Sequence, residues 1–427
     1  MKKILAVIGV VVLCVGAFFG GYFLRSYQDP DMASLKFVLE QYKKYYLEED
    51  EDYIEIMANS LLDKYSKYYT AEEYETIKKA SQGVRVGIGL SFGVYGEDAW
   101  IATVLGNSPA EHAGIKKDGI VTAIKTASDQ DFVSVNYEKL DKILDGIPAG
   151  EEFDLKILYQ TEQVYTLAKR EYSETFVYYT DDSGSFRFTD GEDGKLQLVS
   201  YENDLGVTLP SDTAYLKYTS FNGLSSDLTG SAKQFDKAME KFKNNGKSKL
   251  IIDLRRNGGG YMSIMRDIAS HLIGTQGSNL CLSKSIYKDG SIETVNLGSN
   301  KYSDYKFTKI VFLADQNTAS ASEALIGACL DYDYFGVVKV VLSRSVLNGE
   351  FVYKTYGKGI SQTTIINADL AVGGAIKLTT AKIYWPVSNL SIHGVGITKN
   401  LTEYKDKIIE APYIENVEYE LIAALSA

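Results

Sequence analysis

The chain has 427 residues, 45% hydrophobic and 24% charged, which is length and composition for roughly two to four globular domains with real cores. A formal net charge of −11 gives a nucleic-acid partner no electrostatic support. The three histidines (His112, His271, His393) and three cysteines (Cys14, Cys281, Cys329) have no zinc-ligand spacing, so no metal site is expected, and Cys281 and Cys329 read as buried thiols.

Lys2 and Lys3 precede an uncharged run, Ile4 to Leu24, long enough to cross a bilayer. Lysines on its N-terminal side put that end in the cytoplasm and the rest of the chain outside. A cleaved signal peptide with a Val15-Gly16-Ala17 site is the alternative, but the apolar run continues through Phe18, Phe19, Tyr22, Phe23 and Leu24, which favours an uncleaved anchor over residues 1–27. After a polar linker, residues 33–80 have a helical pattern: Phe37, Leu39 and Tyr42, then Ile54, Ile56, Met57, Leu61 and Leu62, with an acidic break at Glu48 to Asp52.

Residues 83–172 change to short strands. Gly87-Ile88-Gly89-Leu90-Ser91-Phe92 opens the region, followed by a strand from Trp100 to Leu105. A turn and short helix follow in Ser108-Pro109-Ala110 to Ala113-Gly114-Ile115, then a strand at Ile120 to Ile124, a helix at Tyr137 to Leu144 and a strand at Phe153 to Tyr159. This order, closed by Arg170, resembles a PDZ domain of the bacterial protease type. The resemblance implies capture of a peptide C-terminus as an added strand, with the carboxylate held by backbone N–H groups at Ile88, Gly89 and Leu90. Residues 173–213 read as a connecting β segment. From 214 to 410 strands alternate with helices, which implies an α/β core; 411–427 form a C-terminal segment.

Three places in the core could carry chemistry. The strand Lys249 to Leu254 runs into Arg255-Arg256-Asn257-Gly258-Gly259-Gly260, where backbone can approach a ligand closely. A dinucleotide fingerprint fails there because Ser263 stands at its third glycine. A P-loop fails at Gly246-Lys247-Ser248 because Lys241 replaces its first glycine. Ser320, in Thr318-Ala319-Ser320-Ala321-Ser322-Glu323, lies where the strand Lys309 to Ala314 hands over to a helix, beside the free N–H groups of a helix start. On this pattern alone Ser-x-x-Glu reads first as a simple capping box, and such a serine also suits a nucleophile. Lys358, between Gly357 and Gly359 with Gln362 four residues on, could act as a base if desolvated, or lie in an exposed turn.

Together these segments resemble the C-terminal processing peptidases, or tail-specific proteases. The matching pieces occur in family order: Tyr65-Ser66-Lys67-Tyr68-Tyr69, the PDZ-like region, Ile251-Ile252-Asp253-Leu254-Arg255-Arg256-Asn257-Gly258-Gly259-Gly260, Thr318 to Glu323, Tyr356-Gly357-Lys358-Gly359-Ile360-Ser361-Gln362, Lys377-Leu378-Thr379-Thr380-Ala381, and Gly394-Val395-Gly396-Ile397. The resemblance implies Ser320 as nucleophile, Lys358 as general base, Gln362 as its orienter, and the N–H groups of Ala321 and Gly259 as an oxyanion hole. It further implies a multidomain protein: membrane helix, helical segment, PDZ domain, and an α/β peptidase core of the crotonase/Clp-protease type. The expected function is an exported, membrane-anchored serine endopeptidase acting on protein substrates with accessible tails, without metal or organic cofactor. A catalytically impaired scaffold and an acyl-CoA enzyme are the alternatives. The interval from Ser320 to Lys358 is longer than in the family pattern, with extra material between Val337 and Val352.

Overall fold

The computed structural model describes residues 30–45, 53–190, 196–203, 205–223, 230–273, 279–298, 307–333, 335–366, 374–412 and 418–427. The apolar run Ile4 to Leu24 lies outside them; among the described residues no helix is long and apolar enough to cross a membrane. The chain divides into two units, Met1–Leu61 and Leu62–Ala427. Within the first, the helices are Pro30–Tyr45 and Tyr53–Ser60.

The second unit opens differently from the helical pattern expected up to residue 80. Asp63 accepts the Ser66 N–H at 3.0 Å in a turn, and Lys67–Tyr69 is a strand paired with Ala375–Lys377. Two adjacent tyrosines fit a strand better than a helix, and the pairing partner is far away in sequence, beyond the reach of local periodicity. A helix then runs from Ala71 to Ser81. Its start is fixed by a reciprocal box in which Thr70 Oγ1 accepts from Glu73 N–H at 3.3 Å and the Glu73 carboxylate accepts from Thr70 N–H at 3.0 Å.

Between Gly83 and Tyr172 the expected strands and helices form. Five antiparallel strands follow the order Leu90–Tyr95, Asp98–Val104, Ile120–Lys125, Glu152–Leu158 and Glu162–Ala168, with Val133–Ser134 added on Ile120–Lys125. Alternation puts Phe153, Leu155 and Ile157 inward, against Ile101, Ile124 and Leu140 of the helix Tyr137–Gly146. Val84–Gly87 and Arg170–Ser173 pair to close this region.

The core is an eight-stranded sheet in the order Leu196–Ser200, Gly184–Asp190, Val177–Asp181, Thr213–Tyr218, Lys249–Asp253, Lys309–Ala314, Val338–Ser343 and Ile408–Ala411. The last five are parallel, and the central three, Lys249–Asp253, Lys309–Ala314 and Val338–Ser343, are buried on both faces, which is why they read as apolar runs. Helices Ser231–Asn244, Met262–Leu272 and Ala321–Asp331 pack on one face through Phe235, Ile268 and Leu325; Tyr419–Ser426 covers the other through Leu421 and Ala424. Residues 173–213 are therefore no mere connection, since three of their strands extend this sheet and Val177, Tyr179 and Phe188 enter its core. The C-terminal segment likewise packs on the core sheet. A second sheet joins Lys67–Tyr69, Ala375–Tyr384, Cys281–Tyr287 and Ile292–Asn296, with Ile360–Ile366 also paired to Ala375–Tyr384. Cys281 and Cys329 are free thiols; Cys329 is buried and Cys281 half-buried.

Candidate active site

Ser320 ends the turn after the strand Lys309–Ala314 and caps the helix Ala321–Asp331. Its backbone has φ 58° and ψ −117°, a conformation that L-residues other than glycine seldom hold. Such a sharp strand-to-helix turn projects the side chain clear of both elements. Ser320 and Glu323 sit as a capping-box pair, but the hydroxyl is left without a cap hydrogen bond. The return bond forms, from Ser320 N–H to Glu323 Oε2 at 2.9 Å. The Ala321 N–H, at the first helical position, has no partner among the described residues.

The glycine turn lies directly against this serine. Gly259 has φ +97°, and a Cβ there would fall 2.7 Å from Ala319 O and 2.8 Å from both Ala321 N and Ser320 Cβ. Fully buried Asn257 ties the two turns together. Its carbonyl accepts from Ala319 N–H and Ser322 Oγ, each at 3.0 Å, and its side chain donates to Tyr218 O at 2.8 Å. Asn257 Oδ1 also accepts the Gly259 N–H at 2.9 Å, so that amide is occupied, whereas Gly258 and Gly260 have N–H groups without partners among the described residues.

Lys358 is delivered to the same place by Glu323. This fully buried carboxylate accepts Thr355 Oγ1–H and Gly357 N–H (2.8 Å) on Oε1, and Ser320 N–H and Lys358 N–H (both 2.9 Å) on Oε2. Burial pushes its carboxyl above the ordinary range, and these four donors pull it back. The Gly-Lys-Gly segment is not an exposed turn. A Cβ on Gly357 would meet Gly396 N at 2.8 Å, and one on Gly359 would meet His393 N at 2.6 Å. The extra material before it stays out of the way: Ser345–Leu347 and Glu350–Val352 form an exposed hairpin on an Asn348-Gly349 turn, both residues at positive φ.

Ser320, Lys358, Gln362 and Gly259 line one cavity of about 900 Å³. Lys358 is half-buried, its ammonium disfavoured by burial and then by the neighbouring Lys377 cation, against weaker opposing pulls from Glu323 and Asp63. No hydrogen bond joins Lys358 Nζ to Ser320 Oγ or to Gln362 among the described residues. The ammonium instead sits 5.8 Å from the centre of the Tyr65 ring, and Gln362 Nε2 is buried without a partner. Tyr65 itself packs on Tyr356 and His393.

Residues 212–402 match the profile of Peptidase family S41. Over that stretch the chain is similar to peptidase family S41. A Staphylococcus aureus protein named "Probable CtpA-like serine protease" is 25% identical over 410 residues, covering 92% of this chain and 70% of that protein. The chloroplastic C-terminal processing peptidase of Tetradesmus obliquus is 24% identical over 340 residues, covering 76% of this chain and 61% of that one. A crystal structure titled "Putative S41 protease from Bacteroides fragilis" superposes with a TM-score of 0.54 at 18% identity, over 90% of this chain and 86% of that one, which shows a shared fold.

The sequence-selected Ser320, Ala321, Gly259, Lys358 and Gln362 thus converge from three segments. Ile88, Gly89 and Leu90 lie apart from them, at the outer strand of the antiparallel sheet. Ile88 and Gly89 have N–H groups without partners among the described residues, and Leu90–Tyr95 is an edge strand. Glu323, Asn257 and Lys377 are the site residues that sequence reasoning did not single out. Ser-x-x-Glu signalled the first only as a local cap.

Proposed function

We propose that this chain is an exported serine endopeptidase of the C-terminal processing type. Ser320 Oγ attacks the scissile carbonyl and passes its proton to neutral Lys358 Nζ, which then protonates the leaving amine; water resolves the acyl-enzyme by the same relay. The free Ala321 N–H at the helix start faces the developing oxyanion, with a second donor from the Gly258–Gly260 turn, where the resemblance favours Gly259. Gln362 steadies the lysine. The observation that carries this reading is the strained Ser320 at a helix start, sharing a cavity with a lysine whose ammonium burial disfavours. Ser320→Ala and Lys358→Ala should each abolish hydrolysis of an unfolded protein while melting as the parent does. Undiminished cleavage by either variant sinks the assignment.

The absent Ser320–Lys358 hydrogen bond favours one second reading, a catalytically impaired scaffold, and the same assay separates the two. Substrate tails are proposed to add as a strand along Leu90–Tyr95, carboxylate at Ile88–Leu90, as in a PDZ domain; the free edge and unpartnered N–H groups support this. The apolar run Ile4 to Leu24 is proposed as the membrane anchor. Recovery of the full chain in the soluble fraction after cell lysis would refute anchoring.

A further inference from the structure

The cavity at Ser320 has a one-sided charge. Of the described residues lining it, the charged ones are Lys78, Lys358 and Lys377, and no carboxylate lines it. This is in a chain with 56 acidic against 45 basic residues. Lys78 is satisfied outside the cavity by Glu75 at 3.1 Å. Lys358 is the base of the proposed reaction and is set aside for the serine's proton. Lys377 remains: it is half-buried, and no carboxylate lies within ion-pair distance and no acceptor within hydrogen-bond distance among the described residues.

Its placement is rigid. Lys377 is on the strand Ala375–Tyr384, in register with Thr364 on one side and Lys67 on the other. The Lys67 amine is taken by Glu73 at 3.0 Å and does not compete. Lysines are seldom buried unless paired, because an ammonium withdrawn from water loses hydration that only an acceptor restores. Burial accordingly disfavours the charged form of Lys377 in the empty site. Ser361, Thr363 and Thr364 add hydroxyl donors to the same wall. Three donors on a point charge, with hydroxyls beside them, complement a carboxylate.

We propose that Lys377 is a specificity-determining residue that binds a carboxylate of the peptide substrate close to the scissile bond, so that acidic peptides are preferred. The proposal rests on the peptidase reading of the cavity. Two sources offer the same chemistry, an Asp or Glu side chain or the chain-terminal carboxylate.

The test measures binding without turnover. In the Ser320→Ala protein, fluorescence anisotropy compares labelled peptides that differ by Glu or Gln at each position around a mapped cleavage bond, and peptides with free or amidated ends. A Glu-over-Gln affinity ratio on the order of tenfold is expected at one position, as for a charge-assisted hydrogen bond. Adding Lys377→Met should bring that ratio close to one, Lys377→Arg should keep it, and Lys377→Glu should invert it for the matching Lys peptide. Amidation is scored in the same way, and only the part of its effect that Lys377→Met removes counts for Lys377. The idea is overturned if no position discriminates Glu from Gln, or if the discrimination survives Lys377→Met. Equal loss of both peptides in Lys377→Met and Lys377→Arg also overturns it, since that marks a merely structural lysine. Failure of the peptidase reading shows separately, as hydrolysis that persists in Ser320→Ala.

Discussion

Replacing Glu323 by glutamine tests the joint between Ser320 and Lys358. The carboxylate offers four lone-pair positions, and four donors occupy them, two on each oxygen. An amide keeps one acceptor oxygen and turns its NH2 toward the other two donors. Two buried donors are then unsatisfied, at about 1–3 kcal/mol each, so a loss of about 2–6 kcal/mol is expected. Relief of a buried charge offsets part of this and draws the result toward the lower end. Urea denaturation of the purified protein reads the stability. Activity supplies an independent readout. The Glu323 charge favours the Lys358 ammonium, so its removal lowers the pKa of Lys358 and moves the acid limb of the pH profile of kcat/KM to lower pH. A variant with unchanged midpoint in urea and an unmoved acid limb would refute the joint.

The remaining expectations follow from the same geometry. Gly259→Ala forces a Cβ into the backbone of Ala319 and Ala321 at a positive φ; a stability loss of about 1–3 kcal/mol or more and at least a hundredfold fall in turnover are expected, read by melting and initial rates. Parent-like turnover would show that the two turns are not in contact. Because burial and Lys377 both disfavour the Lys358 ammonium, kcat/KM should rise with pH along a limb centred below 10.5, and Lys377→Met should move that limb upward by removing the repelling cation. A downward shift contradicts the assignment of Lys358 as base. Replacing residues 346–351 with Gly-Gly should leave kcat/KM within about threefold, since Ser345 and Val352, which remain, are already paired across the hairpin base. A collapse of activity would mean that the hairpin positions Lys358.

Much of the core was legible because its central parallel strands are buried on both faces and its turns are made by glycine. Ser320 and Lys358 could be named because the strand-to-helix junction and the Gly-Lys-Gly triplet are local patterns. The helical pattern read over residues 33–80 fails at the strand Lys67–Tyr69, because its structure comes from Ala375–Lys377, which no local window contains. Glu323 was seen as a cap and not as a hub for the same reason: one of its donors is three residues away and the rest lie at 355–358. The hairpin carried its signal openly. Asn348-Gly349 between short apolar runs is a strong turn pattern, and it accounts for most of the additional length before Lys358.

The structure divides the site into a fixed part and a movable part. Backbone is fixed: Glu323 holds the Ser320 and Lys358 amides on the same oxygen, and Asn257 holds the glycine turn against Ala319. What is out of place for chemistry is confined to side chains and one amide. Lys358 Nζ faces the Tyr65 ring, Gln362 Nε2 is bare, and Gly259 N–H is donated to Asn257 Oδ1. A lysine side chain moves between rotamers in picoseconds to nanoseconds when not tightly packed. Leaving an aromatic ring costs about 0.5–2 kcal/mol, comparable with the return from a hydrogen bond to Gln362 and Ser320. The long interval between Ser320 and Lys358 is therefore no obstacle to their meeting. The chain has already spent that length in a hairpin, and Ser320 and Lys358 line the same cavity.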